Sequence, residues 1–440
     1  MTGSVHLVSL GCARNQVDSE TMLGRLSAAG WRIVAEPAAA DAIVVNTCSF
    51  IRPAVDESID TILELAEFKH KGRCRRLVVV GCLPERFREE IVAALPEVDA
   101  FLGTGGFDRV VAAVTDSSAG ATACHLPDPD LVAPAAGVPR WRAASPSAYL
   151  KIAEGCDRHC TYCIIPKLRG PLRSRELADI LKEAENLIAK GFRELVVIGQ
   201  DTGSYGRDRG ASPRLPDLLA GLAEISTDVW IRFLYGSPDT TDARLIRTMA
   251  AYPNICPYFD VPIQHASAKI LKRMGRPYDA DALTRVFAAI RGVLPEAALR
   301  TTVMVGFPGE TEKDFAQLLE FITSVQFDHL GAFLYSDADD LPSHQLSGHV
   351  PKSVARSRFD ALMGRQQEIS AAKNQARVGR VYPVLVEEVL ESGLYAGRTP
   401  FQAPDVDGIV YIDAAAAVVG DIMDVRITDA MEYDLRGEAR

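Results

Sequence analysis

A chain of 440 residues with 48% hydrophobic and 24% charged side chains has the balance of an ordinary globular protein, long enough for roughly two to four domains with buried cores. No run approaches the roughly 18 apolar residues of a membrane span, and the opening MTGSVHLVSLGC lacks the charged start, apolar stretch and cleavage site of a secretory leader, so a cytoplasmic protein with no membrane partner is expected. The net charge of −10 argues against a nucleic acid as the main partner, because phosphate backbones recruit basic surfaces.

From residue 5 to about 115 short β-branched runs (VHLVSL, AIVVNT, RLVVVG) alternate with helical stretches such as PAVDESIDTILELAEFK. This βαβα order predicts an open parallel sheet covered by helices, here given the bounds 1–115. Residues 116–146, rich in Ala, Pro, Ser and Asp without periodicity, read as a connection. A second alternation follows over 147–350, with strands expected at AYLKIA, ELVVIG, VWIRFLYG, PYFDVPI, LRTTVMVG and HLGAFLYS. Six βα units predict a partial parallel barrel, a (βα)6 rather than the closed eight-fold form, with an opening at its side. Residues 351–379 begin with proline, end with glycine and are polar throughout, as one long connecting helix would be. Residues 380–440 turn to short strands broken by Gly, Pro and Asp, which predicts a small antiparallel β-barrel. The fold class is therefore α/β multidomain.

Nine cysteines, an odd number scattered along a long chain, suit reduced thiols or metal ligands better than a disulfide framework. Cys156, Cys160 and Cys163 form a CxxxCxxC pattern just after the first strand of the expected barrel, on the face where parallel barrels carry their chemistry. A structural zinc site wants four ligands, commonly two CxxC-like pairs, and the sequence has no second pair. A 4Fe-4S cubane held by three thiolates leaves one iron open. Cys12, Cys48 and Cys82 each stand just past an expected strand, 36 and 34 residues apart, about one strand-helix unit. Neighbouring parallel strands would bring these thiols to one sheet edge, where open α/β sheets bind ligands. Any one of them alone is also what a buried core cysteine looks like. Cys74 lies in a basic stretch, Cys124 in the connection and Cys256 ahead of a strand, without that placement.

CxxxCxxC with Tyr162 before its last cysteine, on a six-unit βα barrel, resembles the radical S-adenosylmethionine enzymes. That resemblance implies that S-adenosylmethionine binds the open iron and is cleaved reductively to a hydrogen-abstracting radical, the cofactor supplying the hard chemistry. It also implies contacts from Tyr162, from Gln200 in GQD, where such enzymes usually have a Gly-Gly-Glu-like segment, and from Gly306 and Glu310 in VGFPGE. A tight strand-to-helix turn would use the same glycines for conformational reasons alone. For His265 in PIQHAS and the arginines of RGPLRSR (169–175), a structural or solvated role is as good a reading as a functional one.

Together with the first-domain cysteines and a C-terminal barrel like the TRAM module, the phrases GCARNQVDSE, NTCSFIRPAVDES, EGCDRHCTYCIIP and PIQHAS resemble the methylthiotransferase family over nearly the whole chain. The resemblance implies two 4Fe-4S clusters: an auxiliary one on Cys12, Cys48 and Cys82, implicated in sulfur insertion, and a radical-generating one on Cys156, Cys160 and Cys163. It implies a flavodoxin or ferredoxin type electron donor and demands no side-chain acid, base or nucleophile. Family members modify either adenosine in transfer RNA or an aspartate of the twelfth small-subunit ribosomal protein, and the motifs here look more like the ribosomal-protein branch. In residues 380–440, twelve acidic side chains face five arginines, a net of seven negative charges that would repel transfer RNA and attract a basic ribosomal protein. A non-catalytic iron-sulfur sensor is the contrasting reading.

Overall fold

The structure, a computed structural model, describes residues 3–116, 122–131, 137, 140–142, 145–210 and 212–440. The chain forms two compact units: Met1–Ala143 with Ala153–His159 and Cys163–Arg175, and Ala144–Ile152 with Cys160–Tyr162 and Glu176–Arg440.

In the first unit β1 (Ser4–Ser9), α1 (Ala13–Ala28), β2 (Arg32–Ile33), β3 (Ala42–Thr47), α2 (Arg52–Ala66), α3 (Phe68–Lys71), β4 (Arg76–Gly81), α4 (Cys82–Ala94), β5 (Ala100–Leu102), α5 (Val110–Thr115) and β6 (Ala123–His125) follow one another. The strands pair in parallel in the order β2-β1-β3-β4-β5-β6. Successive residues of a strand point to opposite faces, so β3 and β4, buried throughout, need apolar cover on both sides. Ile43, Val45, Leu77 and Val79 pack with Ile62 and Leu65 of α2, while Val44, Val78 and Val80 pack with Met22 and Leu26 of α1. The segment 116–146, expected as a plain connection, contributes the edge strand β6, and Cys124 lies on it, exposed. An edge strand of three residues pairs on one side alone and leaves too short a pattern for periodicity to reveal. Residues 117–121, 132–136, 138–139 and 143–144 of that connection lie outside the described residues.

After β7 (Ser147–Lys151), which belongs to the second unit, β8 (Ala153–Glu154), α6 (Ile165–Arg169) and β9 (Arg173–Ser174) return to the first, with β8 and β9 paired antiparallel.

The second unit continues with α7 (Leu177–Ala189), β10 (Glu194–Ile198), α8 (Leu215–Ile225), β11 (Trp230–Phe233), α9 (Ala243–Ala251), β12 (Tyr258–Asp260), α10 (Ala268–Arg273), α11 (Ala280–Val293), β13 (Ala298–Val305), α12 (Glu312–Val325) and β14 (His329–Leu334). Strands β11-β10-β7 and β12-β13-β14 form two parallel three-stranded sheets, joined by a parallel bridge between Ile231 and Ile255. This is the partial (βα)6 barrel. Helix α13 (Lys352–Gln375) spans 24 residues and leads into β15 (Val381–Glu391), β16 (Leu394–Arg398), β17 (Val410–Asp413), β18 (Ile422–Ala430) and β19 (Leu435–Ala439), a closed barrel.

The closed barrel is docked rather than tethered. Its segment 398–407 reaches all six strands at or near their amino ends. Arg398 donates to Ser147 and Glu194, Arg232 and His329 donate to the carbonyls of Pro400 and Phe401, and Tyr149 and Tyr258 donate to Asp405 and Asp407. Arg300 completes the set 3.4 Å from Asp407. The chemistry of parallel barrels sits at the opposite, carboxyl ends.

Candidate active site

In the first unit Cys12 caps α1, Cys48 follows β3 and Cys82 opens α4, so the three cysteines end β1, β3 and β4, which are neighbours in the sheet. Gly11, at φ +89°, precedes the first, and a Cβ there would stand 2.7 Å from Cys48 Cβ and 3.0 Å from its sulfur. Gly81, at φ +97°, precedes the third and leaves no room for a side chain beside Asn46 and Thr47. Asn15 binds the two crossover loops together, its Nδ2 donating to the carbonyls of Leu10 and Thr47, each at 2.9 Å.

The thiols sense one another. Burial pushes Cys82 up to about 12, with Arg169 opposing and the charges of Cys48 and Cys12 adding. Burial likewise raises Cys48. At Cys12 burial is outweighed by Arg14, by the N–H groups of Asn15 and Arg14 and by Arg169, and the thiol falls below its ordinary range. None of the nine cysteines is in a disulfide, and among the described residues no three His, Cys, Asp or Glu side chains stand grouped as ligands of a single ion. Three soft thiols at adjacent strand ends beside a fixed guanidinium nonetheless have the donor chemistry that suits an anionic iron-sulfur cluster.

The segment 155–163 carries the other triplet on irregular backbone. On the first unit's side the Cys156 N–H donates to the Gly170 carbonyl at 3.0 Å, its sulfur accepts from the Arg158 N–H at 3.4 Å, and Asp157 accepts from the Leu172 N–H at 2.8 Å. In the second unit Thr161 donates through its N–H to Met274 O and through its hydroxyl to Arg273 O, while its own carbonyl accepts from Ser343. The Tyr162 hydroxyl accepts from both Nε and Nη2 of Arg276, at 3.1 and 2.7 Å, and its ring meets Phe307 edge-on. Cys156 and Cys160 are buried and Cys163 half-buried.

Of the other residues named from sequence, Gly306 and Glu310 come together. Glu310 Oε2 accepts the Gly306 N–H at 2.8 Å and Oε1 pairs with Arg358 at 2.7 Å, which closes the turn after β13. Burial raises Glu310, with Arg358 opposing. Gln200 is half-buried just past β10. His265, fully buried, accepts the N–H groups of Ala266 and Ser267 on Nδ1, so its proton sits on Nε2, 3.8 Å from Glu310. Burial lowers His265 to about 4.

Arg276, Arg358 and Arg169 were missed as site residues. The first two lie 114 and 48 positions from their partners, and no local pattern marks them. Arg169 was visible as part of RGPLRSR, but a basic run ordinarily reads as solvated, whereas this side chain is 3% exposed.

Residues 150–322 match the Radical SAM superfamily, residues 378–439 the TRAM domain and residues 4–103 the Uncharacterized protein family UPF0004. The fold is that of a radical S-adenosylmethionine methyltransferase, TsrM from Kitasatospora setae, at TM-score 0.58 and 15% identity, covering 78% of this chain and 77% of that one. This is a radical S-adenosylmethionine enzyme, with an iron-sulfur cluster and S-adenosylmethionine as its cofactors. Two proteins described as ribosomal protein uS12 methylthiotransferase RimO align over 99% of it: that of Desulfosudis oleivorans at 54% identity, covering 100% of the relative, and that of Clostridioides difficile at 46%, covering 98%. The chain belongs to the RimO methylthiotransferase family, and it is a radical S-adenosylmethionine methylthiotransferase.

Proposed function

We propose that this enzyme replaces a hydrogen on the β-carbon of an aspartate of ribosomal protein uS12 with a methylthio group. The observation that carries this reading is 54% identity to a uS12 methylthiotransferase along the full length of both chains. Cys156, Cys160 and Cys163 hold one 4Fe-4S cluster, Cys12, Cys48 and Cys82 a second, and a flavodoxin or ferredoxin type protein delivers the electron. When bound, the clusters and S-adenosylmethionine supply the hydrogen-abstracting radical, the sulfur and the methyl group. The chain's own part is positional. Thr161 and Tyr162 pin the radical loop to Arg273, Met274 and Arg276, and Gly306 and Glu310 shape a turn at the carboxyl end of the barrel. Tyr162, Gln200, Gly306 and Glu310 are the proposed S-adenosylmethionine contacts.

In this reading the chain divides into a sulfur-insertion domain 1–115, a connection 116–146, a radical barrel 147–350, a helix 351–379 and a TRAM-like barrel 380–440. The acidic barrel attracts the basic substrate by long-range field, through exposed groups such as Glu388, Asp421, Asp424 and Asp429. Asp407 is not among them, since its side chain is buried and engaged by Tyr258, while Asp405, though exposed, accepts from Tyr149 of the radical barrel. Docked at the amino ends of the strands, the TRAM-like barrel steers the partner rather than handing it to the open face. A ribosomal-protein substrate calls for an enzyme working in the cytoplasm. No helix among the described residues is long and apolar enough to cross a membrane.

The test is anaerobic turnover of the reconstituted enzyme with uS12 and transfer RNA in competition, read by mass spectrometry. One methylthio group replacing one hydrogen on a uS12 aspartate is expected. Modification of transfer RNA with uS12 untouched would overturn the assignment in favour of the adenosine branch.

A further inference from the structure

Arg169 closes α6, six residues after Cys163, yet its contacts are with the other cysteine set. Nη1 donates to Asp18 Oδ2 at 2.7 Å and lies 3.4 Å from Glu154 Oε1. Nη2 donates to Asn15 Oδ1 at 2.7 Å and to Cys82 Sγ at 3.8 Å. The guanidinium sits 5.9 Å from the centre of the Phe107 ring, and the Thr104 hydroxyl holds the preceding carbonyl, that of Leu168, at 2.6 Å. A guanidinium is always charged, and burying one is costly unless it is paired. A carboxylate pair alone would answer that need. Here the fork is divided, one nitrogen to Asp18 and the other to Asn15 and a thiol, and Asn15 is the residue that ties the Cys12 and Cys48 loops together.

We propose that Arg169 is the positioning and charge-compensating residue of the Cys12, Cys48 and Cys82 set, a fixed cation that offsets the negative charge of the cluster these thiolates hold and donates to the sulfur of Cys82. Hydrogen bonds to cluster sulfurs and nearby charge are among the determinants of a cluster's reduction potential. The inference rests on the proposed first-domain cluster. Asp18 in turn tempers Arg169, so the two residues act on the cluster with opposite sign.

The test uses the full chain with Cys156, Cys160 and Cys163 replaced by alanine, reconstituted anaerobically with iron and sulfide so that only the first-domain set can load. Iron content and the midpoint potential, from a spin-resonance titration with dithionite, are read for this parent and for Arg169→Gln, Arg169→Lys and Asp18→Asn on it. Arg169→Gln should move the potential to more negative values, Arg169→Lys should restore most of the shift, and Asp18→Asn should move it to more positive values. Potentials equal to the parent's in all three would overturn the proposal and leave Arg169 a structural pin. Should Arg169→Gln fail to fold by circular dichroism, Asp18→Asn decides: a positive shift supports the proposal, and no shift or a negative one overturns it. A parent that takes up no iron would overturn the first-domain cluster itself, and this inference with it.

Discussion

Arg398 Nη2 lies 2.5 Å from Glu194 Oε2, joining the closed β-barrel to the first residue of β10 across 204 positions of sequence. Glu194 also accepts from Arg232 at 2.7 Å and from the Ser147 hydroxyl at 2.8 Å, and none of the three charged side chains is more than 2% exposed. Burial would raise Glu194, but Arg398 and Arg232 outweigh it and hold the carboxyl near 2. Removing one partner strands a buried charge, at a cost of about 3–5 kcal/mol. Glu194→Ala and Arg398→Met should each lower the unfolding free energy by that amount, and urea unfolding checks it. With its folded value depressed, Glu194 stabilises fully above its ordinary 4.5, and this contribution is lost as pH falls from there toward 2.

Two aspartates of one barrel should respond in opposite ways to charge reversal. Asp407, with a 1% exposed side chain, accepts from Tyr258 at 2.6 Å and from the Ala403 N–H at 2.8 Å. Asp424 is exposed on β18. Asp407→Lys buries a cation beside Arg300 and should unfold or strongly destabilise the protein, whereas Asp424→Lys should change stability by no more than about 0.5 kcal/mol. Under the steering proposal, Asp424→Lys should instead weaken uS12 binding more at low salt than at high salt. Thermal melts and a salt series of binding curves read the two effects.

The contrast shows where sequence reading stops. The three cysteines after β1, β3 and β4 were legible because strand-helix spacing is local and a parallel sheet carries successive strand ends to one edge. The six parallel strands of the partial barrel and the small C-terminal barrel were legible through period and turn residues, but its last strand, β19, and that strand's parallel pairing with β17 in an otherwise antiparallel barrel were not. Among the twelve acidic residues of 380–440, nothing local marks Asp407 as buried, because its partner, Tyr258, is 149 positions away. Arg169 was hidden by its neighbours, since a run of arginines gives no sign of which one turns inward.

His265 supplies a second acid-sensitive element. Burial lowers it to about 4 from an ordinary 6.5, with Asp314 opposing and Arg358 reinforcing. Protonation therefore favours the unfolded chain: the full contribution is present above about 6.5 and is lost as pH falls toward 4, on the order of 3 kcal/mol in all. In His265→Asn the stability difference between pH 7 and pH 4 should shrink by a comparable amount. Denaturant titrations of the metal-free protein at both pH values check this.

The division of labour between the two cysteine sets is the central claim, and product analysis on two triple-alanine variants tests it most directly. After anaerobic reconstitution each variant should hold about half the iron of the parent, as expected if each set holds one four-iron cluster. Loss of Cys156, Cys160 and Cys163 should abolish 5'-deoxyadenosine, whereas loss of Cys12, Cys48 and Cys82 should spare some cofactor cleavage and stop sulfur insertion into uS12. Abundant 5'-deoxyadenosine from the first variant, or unchanged iron and intact methylthiolation from the second, would contradict the account.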